Sequence, residues 1–511
     1  MSQGNLKVLF VAAEVAPFSM MGGLGQVGYF LPRGLLKKGV DVRIFTPRYA
    51  KIDPVKFPLK MVVEGLRVPT GEPPGTNNPT ELICNIKSFG ETKKGEPTVY
   101  FLENQEYYEQ RANVYGYSDD HIRFGLLSRG ALEFIKNDGF VPDLVHCNDW
   151  HTGYLINFLE QESKESRINK IARLMSVHNL YQGNFDFAHC SEMDYDDGKS
   201  PLASFYTEQF YKQNALKRGV IYADAVNTVS ETYAREIMTD EYGKGMHNLF
   251  RELRGKLFGV LNGLDYREFN PQTDKIIKAN YSLNSLDKRA ENKKDLQRQF
   301  GLDEDPDVPI LSFWGRIDTQ KGVTLMQETM HFLLSEFDAQ LVMVGPIDDQ
   351  FRDYFLQLEK DFPGRVGTHF LYNPILPRKV SAGGDIVLLP SKYEPGGIVA
   401  LEAMRYGCVP VVRATGGLAD SVTDYNPAKN IGTGFTFKKF TRESFIVAVV
   451  RALETYKDKD AWNKIVRRAM QQDFSWGKVA EKYLDLYQRA VEFRKEALLP
   501  NPPTAFRQIT T

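Results

Sequence analysis

Lys7-Val-Leu-Phe-Val-Ala-Ala13 is a near-continuous apolar run, the pattern of a strand buried on both faces of a parallel sheet. Leu24 to Lys38 then carries apolar residues at helical spacing and stops at Gly39, a residue suited to ending a helix. Val40 to Thr46 predicts the next strand. The alternation recurs, with strands at Val99–Leu102, Leu144–Cys147, Leu174–Val177 and Ala225–Val229 and helices at Ile122–Lys136 and Tyr154–Glu160. A charged helical stretch, Leu283 to Arg298, introduces a second series. Its strands are Pro309–Trp314, Gln340–Val344, Asp385–Leu389 and Val409–Arg413. Its helices are Val323–Glu336, Gln350–Asp361, Val399–Tyr406 and Ser444–Thr455, and an amphipathic segment from Gly477 to Arg494 closes the chain. Such alternation predicts an α/β protein of two Rossmann-like, doubly wound parallel sheets.

The expected organisation is a first domain over 1–258 and a second over 259–474, with a joint near Asn270–Asp274. A helix over 475–497 is expected to pack back on the first domain, and 498–511 to form a tail, frayed from Thr504 to Thr511. Two such domains are expected to turn the carboxyl ends of their sheets toward one deep cleft, where ligands of open α/β sheets bind. At 511 residues with 42% hydrophobic and 25% charged positions, the chain has ample material for large cores. Lys+Arg 64 against Asp+Glu 65 leaves a net charge of −1, so neither a nucleic-acid nor a membrane partner is expected. Cys84, Cys147, Cys190 and Cys408 are far apart, without a CxxC pair or zinc-ligand spacing. No metal and no cofactor are expected. The opening apolar run is too short for a signal peptide, and the expected location is the cytoplasm.

Five segments carry candidate chemistry. Gly22-Gly-Leu-Gly25 sits between strand one and helix one, where glycine permits close approach and a helix start offers amides to an anion. Gly23 to Gly28 also satisfies GxGxxG, with Asp41 downstream, but about ten residues separate it from the strand where a dinucleotide fingerprint allows a tight turn. A flexible loop and a phosphate loop are equally good readings. Val145-His-Cys-Asn-Asp-Trp-His151 ends a buried strand; His146 reads as a satisfied interior imidazole. Ser176-Val-His-Asn-Leu180 is a similar strand end, with loop bonding the bland alternative for His178 and Asn179. In Trp314-Gly-Arg-Ile-Asp-Thr-Gln-Lys-Gly322, Arg316 and Lys321 flank a turn and could converge on a diphosphate, whereas most basic pairs are solvated. Tyr393-Glu-Pro-Gly-Gly-Ile-Val-Ala-Leu-Glu402 holds two carboxylates, Glu394 before a helix and Glu402 two turns in; the bland reading is a dipole-favoured charge and a solvated helix residue. Ala414-Thr-Gly-Gly-Leu-Ala-Asp420 repeats the strand–glycine–helix theme and offers amides to an anion.

Taken in order, these segments resemble the bacterial glycogen synthases and plant starch synthases, retaining glucosyltransferases of the GT-B fold. The resemblance runs from Ala12-Ala-Glu-Val-Ala-Pro17 through the GGL loop, DWH, SVHN and Thr228-Val-Ser230. It continues through Gly259-Val-Leu-Asn-Gly-Leu-Asp265, GRIDTQKG, EPGG, Tyr406-Gly, TGGLADSV and Phe474-Ser-Trp476. It implies that Gly22, Gly23 and Leu24 meet the donor's pyrophosphate and that His151 lies by the transferred sugar. Asn262 then contacts the sugar, Arg316 and Lys321 neutralise the leaving diphosphate, and Glu394 is the essential carboxylate. Gly396, Gly397, Thr415, Gly416 and Gly417 fall on the donor side. Glu14 falls in the acceptor region, and His178 and Asn179 are site candidates on the acceptor side or without an assigned role.

Three departures stand out. The family's Lys before GGL is Met20, its Asp after that loop is Gln26, and its Cys two residues after the essential Glu is Gly396. Glu402, where bacterial relatives often carry Tyr, completes a two-glutamate pattern in which the second Glu holds a ribose. The implied reaction is transfer of glucose from ADP-glucose to an α-1,4-glucan with retention, without a metal. Alternatives are a related transferase using UDP-glucose or another acceptor, a nicotinamide oxidoreductase resting on GxGxxG, and an impaired glucan-binding homologue.

Overall fold

The apolar run at the start forms β1 (Lys7–Val11), fully buried past Lys7. It pairs in parallel with β2 (Asp41–Pro47) on one side and β6 (Leu144–Asn148) on the other. This computed structural model describes residues 6–90, 95–137, 140–180 and 196–499. Among them, β3 (Lys60–Pro69), β4 (Glu81–Phe89), β5 (Val99–Glu103), β7 (Ala172–Val177), β8 (Ala225–Thr228) and β9 (Leu257–Gly259) complete a sheet of order β3-β4-β5-β2-β1-β6-β7-β8-β9. Only β4 runs against its neighbours among these strands. The β3–β4 hairpin extends the sheet beyond the strands read from apolar runs. Its signal is alternation, since β4 buries Leu82, Cys84, Ile86 and Ser88 while Ile83 stays exposed.

The second series forms β10 (Ile310–Trp314), β11 (Gln340–Val344), β12 (Val366–His369), β13 (Ile386–Leu389), β14 (Val409–Arg413) and β15 (Phe435–Phe437). Their order is β12-β11-β10-β13-β14-β15, with every pairing parallel. Helices the pattern left unassigned include Leu376–Gly383 and Lys459–Met470; the latter opens where Asp458 accepts from the Ala461 N–H at 3.1 Å.

The chain divides into two units. One comprises residues up to Val229, Ala234–Val260 and everything from Trp476; the other comprises Ser230–Tyr233 and Leu261–Ser475. Residues 270–274 lie inside the second unit, where the Asp274 carboxylate accepts from Arg378 at 3.1 Å and from the Tyr406 hydroxyl at 2.5 Å. The closing helix, Trp476–Ala497, places Trp476, Val479, Tyr483, Leu486 and Tyr487 in one apolar core with β1 and β2. Most of the expected tail, from residue 500, lies outside the described residues. Among the described residues, no helix is long and apolar enough to cross a membrane.

Candidate functional site

At the carboxyl edge of the first sheet, the chain leaving β1 loops to the helix Gly23–Lys37, which Gly22 precedes in extended conformation. Glu14 is buried behind that loop. One carboxylate oxygen accepts the Met21 and Gly22 N–H groups at 2.5 and 3.1 Å, and the other accepts the Tyr115 hydroxyl at 2.8 Å. Two of the GxGxxG glycines have a packing role: a Cβ on Gly25 would fall 3.0 Å from Met20 Cγ, and one on Gly28 would fall 3.1 Å from the Glu14 carbonyl oxygen. This, with the long loop, answers the dinucleotide reading. Met20 is half exposed, and Gln26 is partly buried on the helix's first turn.

The DWH and SVHN strand ends are knitted together. Asp149 has φ +55°, an uncommon value for a residue with a side chain. Its N–H donates to the Ser176 carbonyl at 2.8 Å, and its carboxylate accepts the His178 N–H at 2.8 Å. His178 Nε2 lies 2.9 Å from Asn148 Oδ1. His151 follows on a short 3-10 turn, its ring packed on Trp150, Phe124 and Tyr115 at centroid separations of 4.2, 4.6 and 4.8 Å. Burial, and after it the Arg123 guanidinium, lowers the His151 pKa well below its ordinary range, so the ring is neutral. Burial likewise lowers His178 to about 4 and raises Asp149 to about 7, the latter against the backbone N–H bonds it accepts. His151 Nδ1 is buried with no hydrogen-bond partner among the described residues, a cost that a ligand hydroxyl or water would relieve. His146 is an interior imidazole satisfied at both nitrogens, by the Tyr487 hydroxyl at 2.8 Å and the Ser176 hydroxyl at 2.6 Å.

In the second unit, three loops stack at the carboxyl edge, after β10, β13 and β14. A Cβ on Gly322 (φ +74°) would fall 1.9 Å from the Pro390 carbonyl oxygen. One on Gly416 would fall 2.1 Å from the Glu394 carbonyl oxygen, and one on Gly417 would fall 2.2 Å from that of Gly396. Only glycine permits this approach. It brings Lys321 Nζ to 2.6 Å from Glu394 Oε2, both largely buried, with the Ser391 hydroxyl donating to the same oxygen at 3.1 Å.

The Gly417 N–H donates to the Glu394 and Pro395 carbonyls at 2.9 and 3.1 Å, so this loop buttresses the EPGG loop. Arg316 lies mostly exposed, 2.9 Å from both Asp318 Oδ2 and Gln320 Oε1, and Asp318 also accepts the Lys321 backbone N–H at 2.9 Å. Glu402 is no solvated helix residue. It accepts the Trp314 indole N–H at 3.3 Å, and burial pushes its carboxyl up to about 7. Gly397 (φ +65°) precedes that helix, Thr415 is wholly buried, and Asn262 is buried with Oδ1 unpartnered among the described residues. Asp149, Asp318 and Ser391 lie in or beside quoted motifs yet were not singled out; nothing in the sequence marks Tyr115.

Residues 7–252 match the starch synthase catalytic domain family, and residues 293–469 match the glycosyl transferases of group 1. A glycogen synthase of Clostridium novyi (strain NT) is 37% identical over 94% of this chain and 98% of its own length. That of Geobacillus thermodenitrificans is 36% identical over 97% of this chain and all of its own. Among solved structures, the catalytic domain of starch synthase IV from Arabidopsis thaliana, bound to ADP and acarbose, superposes with a TM-score of 0.81 at 30% identity. It covers 96% of this chain and 100% of that one. The sucrose-phosphate synthase of Thermosynechococcus elongatus, 18% identical with a TM-score of 0.56 over 95% of this chain and 99% of its own, shares the fold. Two α/β units on mainly parallel sheets, together with these likenesses, make the chain a glycosyltransferase of the GT-B fold. The chain belongs to the glycogen synthase family, to which the starch synthases are related.

Proposed function

We propose that the protein transfers glucose from ADP-glucose to the non-reducing 4-hydroxyl of an α-1,4-glucan, with retention of configuration, in the cytoplasm. The observation that carries this reading is the Lys321–Glu394 contact at 2.6 Å. A cation suited to a leaving diphosphate and a carboxylate suited to the sugar arise from separate motifs and meet in one loop stack. The three described cysteines are free and buried, which fits a reducing compartment.

A nucleoside diphosphate is already a good leaving group, so positioning and charge stabilisation make up most of the catalysis. The bond from C1 to the diphosphate oxygen breaks while the acceptor O4 bonds to C1 from the same face. The O4 proton passes to the departing phosphate oxygen, and no protein nucleophile is required. Lys321 neutralises the departing charge, assisted by Arg316 once its exposed side chain swings from Asp318. The donor draws Lys321 toward phosphate and leaves Glu394 to sugar hydroxyls and the oxocarbenium-like state. Neutral His151 presents Nδ1 to a sugar hydroxyl, and Asn262 Oδ1 offers an acceptor.

Glucan elongation with radiolabelled ADP-glucose and UDP-glucose on a glycogen primer tests the reading. Elongation favouring ADP-glucose is expected; absence of transfer from either donor overturns it. Met20 and Gln26 favour a second reading, a related transferase with UDP-glucose as donor, and the same assay separates the two.

A further inference from the structure

The Glu14 carboxylate is almost wholly buried and spends both oxygens on three donors: the Met21 N–H at 2.5 Å, the Gly22 N–H at 3.1 Å and the Tyr115 hydroxyl at 2.8 Å. A carboxylate so engaged has little capacity left for a ligand hydroxyl. The tip of the glycine loop is otherwise open to solvent: Met20 and Met21 are more than half exposed, and Gly22 has open space where a Cβ would stand. Glu14 fixes this loop from behind. Through Tyr115, whose ring lies 4.8 Å from that of His151, it ties the loop to the wall of the DWH segment.

We infer that Glu14 is a positioning residue for the nucleotide-sugar loop rather than a contact for the glucan. This rests on the reading that the loop receives the donor's diphosphate. Hydrogen bonds to the Glu14 carboxylate hold the Met21 and Gly22 amides inward, so the amides that follow, at the start of helix Gly23–Lys37, are presented in one orientation. Without the latch, the loop samples several orientations and the donor must select one, which lowers its apparent affinity by the fraction of time that orientation is populated. The glucan is untouched by this selection.

The test compares Glu14→Ala, Glu14→Gln and Tyr115→Phe in the full chain. It reads the Kd of ADP by calorimetry, donor and glucan KM and kcat by transfer assay, and amide exchange at Met21 and Gly22. Glu14→Ala should weaken ADP binding and raise donor KM about tenfold, with glucan KM and kcat within about twofold, and speed both amides about tenfold. Glu14→Gln keeps an acceptor for the amides and should restore most of the loss, whereas Tyr115→Phe should shift donor KM about threefold in the same direction as alanine. If Glu14→Ala fails to fold, the other two variants carry the test. A shift in glucan KM with donor KM unchanged overturns the inference and makes Glu14 an acceptor contact. Equal losses in the Gln and Ala variants overturn it in favour of charge, and unchanged ADP affinity in Tyr115→Phe overturns the tie to Tyr115. A wild-type protein that binds ADP but transfers no glucose refutes the proposed function and leaves the latch testable by calorimetry; one that does not bind ADP refutes the latch as well.

Discussion

Lys321 and Glu394 share a single short contact, and their proposed roles separate only when a donor intervenes. Lys321→Ala removes the charge needed most as the diphosphate departs and strands a largely buried carboxylate. The loss of such a transition-state contact costs on the order of 3 kcal/mol, roughly a hundredfold in turnover. Turnover should fall accordingly, with glucan affinity nearly unchanged; near-full turnover at saturating donor would detach this loop from the leaving group. Met20 and Gln26 pose a different residue-scale question. Together they leave local charge unchanged relative to the family's Lys and Asp, and the loop retains a flanking cation, since Lys51 Nζ lies 3.8 Å from Met21 Sδ. Restoring a partly solvated phosphate contact is worth about 1–2 kcal/mol. The double reversion Met20→Lys with Gln26→Asp should therefore lower donor KM roughly tenfold with little change in turnover. A parent that transfers nothing, with transfer created by the reversion, would instead mark a degenerate transferase.

At the scale of elements, the site is a stack of strand-end loops whose glycines set the spacing. Gly417→Ala would drive a methyl into the Gly396 carbonyl and displace the segment that carries Glu394. Overpacking of this kind costs about 1–3 kcal/mol, so thermal stability should fall and turnover with it; unchanged turnover in a destabilised variant would show that the stack does not set the Glu394 position. The helix Ile398–Arg405 carries a second consequence, through Glu402. Burial raises its carboxyl from 4.5 to about 7, so between those values the native protein holds a proton that the unfolded chain releases. Stability from this group is therefore present at low pH and lost as pH rises through about 7. Glu402→Gln can still accept from the Trp314 indole but lacks that dependence. Urea unfolding at pH 5 and pH 8 should show the variant gaining on the parent by on the order of 2 kcal/mol at the higher pH; a constant gap would place an ordinary carboxylate in the native state. Both features trace how far the sequence could be read. Continuous apolar strands such as Gln340–Val344 were legible to the residue, because burial on both faces leaves one pattern. The β3–β4 hairpin and the helix Lys459–Met470 were not, since half-exposed elements dilute their apolar residues with charge. Motifs located Lys321 and Glu394, but which residue faces which depends on loop approach, and the sequence pattern does not encode that.

At the scale of the whole molecule, the two units are unequal in their use of the chain. The second is nearly contiguous, from Leu261 to Ser475, whereas the first is finished by a helix synthesised after the second is complete. That helix is more than a cover. Trp476, Val479, Tyr483, Leu486 and Tyr487 lie in the core of the first sheet, and Tyr487 and Tyr483 bond the buried polar side chains of His146 and Asn227 at 2.8 and 3.0 Å. Arg494 donates to the Asn169 carbonyl at 2.7 Å and lies 3.7 Å from the buried Asp224. Large apolar side chains contribute about 1.5–3 kcal/mol each on burial, so the five together match the entire net stability of an ordinary domain. Stripping the helix also removes the Tyr487 hydroxyl, one of the two hydrogen-bond partners of His146. A chain ending at Ser475 should therefore retain a cooperatively unfolding second unit and lose the first. Calorimetry of the truncated protein should show one transition in place of the full chain's signal, with amide protection confined to residues 261–475. A peptide spanning 476–497, added in excess, should restore protection to β1, β6 and β7 together. If the truncated chain keeps protected amides in those strands without the peptide, the first unit folds on its own and the helix is an accessory to it.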